Sequence, residues 1–435
     1  MRHGGIISAA IEVLADIEAR HRPASEALRD WGLAHRFAGA GDRAAIGNLV
    51  FDALRRRASI AWRMGEDSAR GLALGAYVFT WGRSVPDLEA ELAADRHAPP
   101  PLSEAERRAL GAGSLEGAPE HVRGDYPQWL EGRMARAFGA AAAQEGAALA
   151  ERAPVDLRVN TLKATRDKVL RSLARLSPEP ARFAADGIRI AVGPGPARPP
   201  HVVAEPGFGK GWFELQDEGS QLAAALASVQ AGMQVADVCA GAGGKTLALT
   251  AAMANTGQIY AWDADRHRLG DIHPRLQRAG ARNVQVLRAG ETEALSRCAG
   301  RMDVALVDAP CTGSGAWRRR PDAKWRVSER ALHARLAEQQ TALDVAAPLV
   351  RPGGRLVYIT CSVLAEENED QIAVFLADHA GFALVPPAQV IAAALAPDRI
   401  AAFEAATLAR PGGLLMTPRL TGTDGFFVAV LERVA

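Results

Sequence analysis

The chain has 435 residues, enough for two to four domains at roughly 100–200 residues each. Lys plus Arg number 51 and Asp plus Glu 50, a formal charge of +1. That balance excludes a polycationic arm and an acidic tail, so any nucleic-acid surface must be a local patch. Hydrophobic residues at 48% and charged residues at 23% exclude a disordered chain. The four cysteines, Cys239, Cys298, Cys311 and Cys361, include no C-x-x-C pair and are too few for a disulfide framework. A reducing, cytoplasmic setting is expected. The first sixteen residues lack a signal-peptide apolar block. No run reaches the ~18 apolar residues of a membrane span.

Residues 1–95 are expected to be all-helical. Ile6, Ile7, Ala10, Ile11, Leu14 and Ile17 recur at helical spacing. Pro23 opens a second helix. A third covers 46–54 and runs into Arg55-Arg56-Arg57, and 71–81 is a further apolar segment. A bundle follows from this pattern. Pro99-Pro100-Pro101 begins a loop-rich connector with a short helix over 103–110, where Ser103 and Glu106 stand at capping-box spacing. Residues 126–152 read as an alanine-rich helix.

The character then changes. Residues 156–163 alternate as a strand, 165–176 read as a helix and 187–192 as a second strand. Residues 193–211 are rich in Pro and Gly. From Met233 on, short apolar strands at 234–238, 258–262, 284–287, 304–307 and 356–359 alternate with helices at 246–254, 265–279 and 331–350. A closing strand covers 426–431. Such alternation implies βαβ units and a mainly parallel sheet. The fold class is α/β: a Rossmann-like domain over 216–435, a small α+β (RRM-like) link over 141–215 and a helical domain over 1–140.

The first strand of the alternating region runs into Cys239-Ala240-Gly241-Ala242-Gly243-Gly244-Lys245-Thr246, followed by a helix. A glycine-rich turn lets backbone approach a ligand, and the helix start presents free N–H groups. A Walker A loop needs glycine where Cys239 stands, and the dinucleotide pattern needs glycine where Thr246 stands, so both fail. An S-adenosylmethionine (SAM) loop remains. Asp263 ends the second strand 22 positions after Gly241, where this architecture puts an acid on a ribose hydroxyl. It would serve equally as a helix N-cap.

The fourth strand ends in Asp308-Ala309-Pro310-Cys311 and the fifth in Thr360-Cys361-Ser362. Ligands of open α/β sheets sit beyond the carboxyl ends of the strands, and these two strands are expected to be neighbours, so both thiols would face one crevice. A single cysteine there is more often plain packing. Beside a methyl donor, two thiols suit a pyrimidine: a thiolate added to cytosine C6 makes C5 an enamine carbon able to attack a methyl sulfonium. A second group then assists loss of the C5 proton and release. Asp308 can hydrogen-bond the base during addition.

These residues carry a resemblance. The chain resembles the Sun/Fmu family of RNA cytosine-5 methyltransferases, in particular its 16S rRNA branch with a NusB-like N-terminal domain. The matching stretches are Arg158-Val159-Asn160-Thr161-Leu162-Lys163, Gln216-Asp217-Glu218-Gly219-Ser220, the loop from Cys239 to Thr246 and Asp308 to Gly315. They continue with Arg319-Arg320-Pro321-Asp322, Lys324-Trp325, Gly353 to Ser362 and Glu366-Glu367-Asn368. The helical N-terminus matches in character only. The resemblance implies that Cys361 is the nucleophile and Cys311 the release residue. It implies that Cys239, Ala240, Gly241, Ala242, Gly243, Gly244, Lys245, Asp263 and Asp308 line the SAM site. The family has proline where this chain has Ala242. It also has an acid after the third strand, for which Glu291 is the candidate; Glu291 reads equally as a helix-start acid.

The implied RNA contacts are Arg158, Asn160 and Lys163. Arg318, Arg319, Arg320, Lys324 and Arg326 join them as a basic cluster with Trp317 and Trp325 interleaved, since cations suit phosphate and rings stack on unpaired bases. A solvated charged face is the plain alternative. Arg55–Arg57 is a weaker patch. The expected substrate is 16S rRNA, with a target cytosine in a single strand or loop. No metal-ligand spacing occurs among the ten histidines, and a monomer without metal or membrane is expected. Rival readings are a tRNA methyltransferase, a nucleotide hydrolase using Gly244-Lys245-Thr246, and a non-catalytic RNA-binding assembly factor.

Overall fold

The computed structural model describes residues 1–290 and 292–434. The chain divides into two compact units. One comprises Met1–Ala153 with Val192–Pro199 and Trp317–Val327. The other comprises Pro154–Ala191, Pro200–Ala316 and the chain from Ser328 on.

The first unit is helical. Helix His3–Arg20 buries Ile6, Ile7, Ala10, Val13, Leu14 and Ile17, a stripe that three- and four-residue spacing keeps on one side. Pro23, with φ preset for a helix start, precedes Ala24–Ala34. Helix Ala40–Arg55 adds Ile46, Leu49, Val50 and Ala53 to the same core. The expected capping box opens Glu104–Ala112: Ser103 Oγ accepts from Glu106 N at 3.1 Å, and Glu106 Oε2 accepts from Ser103 N at 2.7 Å. The single helix expected over 126–152 is instead two, Glu131–Phe138 and Ala142–Leu149, separated by a tight turn at Gly139–Ala141.

In the second unit, four antiparallel strands form a small sheet: β1 (Val155–Val159), β2 (Glu179–Pro180), β3 (Gly187–Ile190) and β4 (Phe213–Leu215), in the order β2-β3-β1-β4. Leu157, Val159, Ile188, Ile190 and Phe213 pack with Val169 and Leu173. The strand expected to run to 163 ends at Val159 because Lys163 N and Ala164 N both bond back to Asn160 O, which turns the chain.

The large sheet contains β5 (Gln234–Asp237), β6 (Gln258–Ala261), β7 (Val284–Val286), β8 (Met302–Asp308), β9 (Val350–Thr360), β10 (Phe382–Leu384), β11 (Leu408–Arg410), β12 (Gly413–Met416) and β13 (Phe426–Arg433). Their order is β11-β12-β13-β9-β8-β5-β6-β7, with β10 on β13. The five strands from β5 to β9 are parallel, and the antiparallel β13 extends the sheet beyond β9. The order reverses between β5 and β8, the switch point where such sheets bind ligands. The helix expected over 265–279 is two, Arg266–Gly270 and Ile272–Ala279. Among the described residues no helix is long and apolar enough to cross a membrane. No group of three or more His, Cys, Asp or Glu side chains among them is arranged to hold a metal ion.

Candidate active site

The glycine loop leaves β5 and opens helix Gly244–Ala252. Gly243 has φ of 80°, and a Cβ there would sit 2.6 Å from Ile272 Cγ1, so only glycine lets the loop turn this closely. The helix start has no side-chain cap. Asp263 is buried: its Oδ2 accepts from Gly241 N at 2.9 Å and its Oδ1 from Asp265 N at 2.8 Å. The N-cap role open to Asp263 falls to Asp265, whose Oδ1 accepts from His267 N at 2.8 Å. Asp237, at the end of β5, is fully buried. Its Oδ2 accepts from Thr246 Oγ1 at 2.6 Å, while its Oδ1 has no partner among the described residues. Burial pushes its carboxyl up to about 7. Burial likewise raises the Cys239 thiol well above the ordinary range, which suits an unreactive residue.

Asp308 ends β8, one strand from the loop, and Lys245 Nζ lies 2.6 Å from its Oδ2. Cys311 and Cys361 follow the ends of the adjacent strands β8 and β9, and their sulfurs are 3.4 Å apart, both free thiols. The hydrogen bond with Cys361, burial and the nearby Glu367 carboxylate raise the Cys311 thiol well above its ordinary range.

Side chains that the sequence reading left without a role hold this pair together. Glu367 is buried. Its Oε1 accepts from Thr312 N at 2.7 Å and from Gln339 Nε2 at 3.0 Å, and its Oε2 accepts from Thr312 Oγ1 at 2.5 Å. The segment after Cys361 is thus tied to the residue after Cys311. Ser314 and Ser362 make a second tie, Oγ to Oγ at 2.9 Å. The signal for Glu367 was present: it lies in Glu366-Glu367-Asn368, six positions after Cys361. Nothing local says that it reaches back to Thr312.

Gly315 makes a third tie. Its N–H donates to Cys361 O at 2.9 Å, and a Cβ there would lie 2.1 Å from Gly425 O. Gly315→Ala must push two backbones apart. It is expected to cost roughly 1–3 kcal/mol, the scale of an overpacked interior site. A thermal melt checks this: a Tm several degrees below wild type is the expected outcome, and an unchanged Tm refutes the close packing.

The residues expected to meet RNA differ in exposure. Arg158 and Asn160 are buried. Arg158 Nε donates to Gln216 Oε1 at 2.6 Å, and Asn160 Nδ2 donates to Gly211 O at 2.9 Å and Ala279 O at 2.8 Å. Both brace the insert and offer RNA nothing. Lys163 is exposed, with Nζ donating to Arg278 O at 2.7 Å. Lys324 is 1% exposed, its Nζ donating to Arg55 O at 2.9 Å, and burial pushes its ammonium down to about 7. Trp325 Nε1 donates to Leu54 O at 2.6 Å, and Arg318 is buried. Of the residues expected to touch RNA, Arg158, Asn160, Arg318 and Lys324 are thus buried and Trp325 is half-buried. Spacing alone does not tell a side chain facing water from one turned into the protein. Arg319 and Arg320 are exposed. Glu291 lies outside the described residues.

The 16S rRNA methyltransferase RsmB/F family matches residues 223–432, and an RsmF/B-like ferredoxin-like domain matches 126–194. The ribosomal RNA small subunit methyltransferase B of Sodalis glossinidius is 32% identical over 414 residues, 89% of each chain. The chain belongs to the RsmB/F methyltransferase family. A methyltransferase homologue from Pyrococcus horikoshii is 26% identical, with a TM-score of 0.58 over 74% of this chain and 99% of its own. NSun6 from the same organism, solved with SFG, shares the fold at 21% identity and a TM-score of 0.58, over 71% of this chain and 98% of its own.

As an RsmB/F enzyme the chain is a SAM-dependent methyltransferase with a Rossmann-like domain. The β5 loop fits the cofactor. The uncapped start of helix Gly244–Ala252 suits a carboxylate. Asp263 retains acceptor capacity for hydroxyls, since each of its oxygens carries one hydrogen bond among the described residues.

Proposed function

We propose that this RsmB/F enzyme methylates carbon 5 of a cytosine in 16S rRNA, in the cytoplasm. The supporting observation is the 3.4 Å approach of two free thiols at the ends of neighbouring strands, beside the loop that suits the methyl donor. Relatives named as small-subunit rRNA methyltransferases indicate the RNA. SAM, when bound, supplies an activated methyl group.

The chain's own residues do the rest. The Cys361 thiolate adds to cytosine C6, and the π electrons of C5=C6 move to make C5 nucleophilic. Asp308, held by Lys245, accepts a hydrogen bond from the exocyclic amine and fixes the orientation of the base. Once C5 is methylated, its proton must leave. Cys311, whose raised thiol rests protonated, gives up its own proton to solvent first, and its thiolate then takes the C5 proton. The C6–S bond then breaks, C5=C6 re-forms and Cys361 returns as thiolate. We read residues 1–140 as a NusB-like RNA-binding domain and 141–215 as an RRM-like link that together present the RNA to the domain at 216–435.

Bisulfite sequencing of total RNA from cells with and without this protein tests the reading. One 16S rRNA cytosine that resists conversion only when the protein is present is the expected result. An unchanged 16S pattern, or a lost mark confined to tRNA, refutes it.

A further inference from the structure

The Arg55-Arg56-Arg57 run does not act as one patch. Arg55 is consumed by Asp52 at 3.0 Å and by Arg318 O at 2.9 Å, and Arg57 pairs with Asp67 at 2.8 Å. Arg56 instead lines a cavity of about 290 Å³ in the helical unit, together with Ser59, Arg63, Thr80, Arg123 and Asp125. At the ~30 Å³ a water takes up in the liquid, that space holds about ten waters, room for a phosphate group.

Its charge balance is one-sided. Among the described residues, neither Arg63 nor Arg123 has a carboxylate within ion-pair distance. Arg63 Nε is buried without a hydrogen-bond partner, and its guanidinium lies 4.7 Å from the centre of the Phe79 ring. Arg123 is exposed. Asp125 is the single acid of the lining, 3.5 Å from Arg56 and 1% exposed. Its two oxygens already accept from Ser59 N and Ser59 Oγ, each at 2.8 Å. Burial pushes its carboxyl up, against the pull of Lys324 and Arg56. Three guanidiniums therefore face one largely satisfied carboxyl. Guanidinium forks match phosphate oxygens, and a planar arginine resting on a ring keeps its donors free for an anion.

We propose that this pocket, built from Arg56, Arg63 and Arg123, binds a backbone phosphodiester of the RNA substrate. The proposal rests on the RNA reading above. It places a sequence-independent phosphate contact in the helical unit, one that positions RNA rather than reading its bases.

The test uses the full-length protein and its 16S rRNA substrate, with affinity measured across a potassium chloride series. In Arg63→Ala/Arg123→Ala, affinity is expected to fall about tenfold at low salt. The slope of log affinity against log salt is expected to drop by about 0.7, the value for one phosphate contact on a single strand. Arg123→Ala alone, on an exposed side chain, should show part of both effects even if Arg63 also matters for packing. Arg63→Lys/Arg123→Lys should restore the slope. Unchanged affinity and slope in the double variant overturn the proposal. So does an equal loss in Arg108→Ala, an exposed arginine outside the pocket, because overall charge would then explain it. Inorganic phosphate, added at constant ionic strength, separates the two sources of the anion. If it raises the Tm of wild type but not of the double variant, while the RNA slope is the same in both, the ligand is free phosphate and the RNA assignment falls. Methylation by wild type is scored in the same preparation. Its absence refutes the proposed function, whereas intact methylation with unchanged slopes refutes only the pocket.

Discussion

Cys361→Ala is expected to abolish methyl transfer to RNA, with turnover at least about ten-thousand-fold below wild type, the scale for removing a covalent nucleophile. Without the sulfur nothing adds to C6, and C5 stays too electron-poor to accept the methyl group. The substitution is mild for the fold, because Cys361 is only half-buried at the rim of the sheet core. Its main structural contact, the backbone bond from Gly315 N to Cys361 O, survives any side-chain change. A melt matching wild type, paired with no incorporation of labelled methyl into RNA, separates lost chemistry from lost structure. Wild-type turnover in this variant would remove Cys361 from the role of nucleophile.

Cys311→Ser or Cys311→Ala has a different expected signature. Addition through Cys361 continues while release stalls, so a covalent RNA–protein adduct accumulates. It should appear as an SDS-resistant band that disappears when Cys361 is also replaced. A serine hydroxyl at the same place ionises far less readily than a thiol, so it takes the C5 proton poorly. Full turnover with no adduct would show that another group removes the proton. An adduct formed by Cys361→Ala instead would exchange the two assignments. The 3.4 Å between the sulfurs makes that exchange a real alternative, since one base could reach either.

Much of the fold was legible from residue order. Apolar residues at three- and four-residue spacing marked the helical unit, and short apolar runs separated by helices marked the parallel strands β5 to β9. The adjacency of β8 and β9, expected from the α/β pattern, is present, and it puts Cys311 and Cys361 together. Less legible were the additional edge strands β10 to β12. Each is three or four residues long, and such short runs carry too little periodicity to be told from loop. Gly139–Ala141 breaks an alanine-rich stretch where composition favours continuous helix.

Sequence by itself determined which groups stand at the candidate site: a glycine turn before a helix, an acid 22 positions on, and thiols just after two strands. These are local patterns, set by backbone sterics and by the side-chain periods of strand and helix. Only the tertiary structure decided which charges meet water. Lys324 and Arg158 read from the sequence as cations for RNA, yet one is buried against Arg55 O in the helical unit and the other is buried on β1 against Gln216. Glu367, unassigned by spacing, became the tie between the two thiol-bearing loops through contacts 55 residues apart in the chain. Burial and long-range pairing depend on how distant segments are brought together, and no local period encodes that.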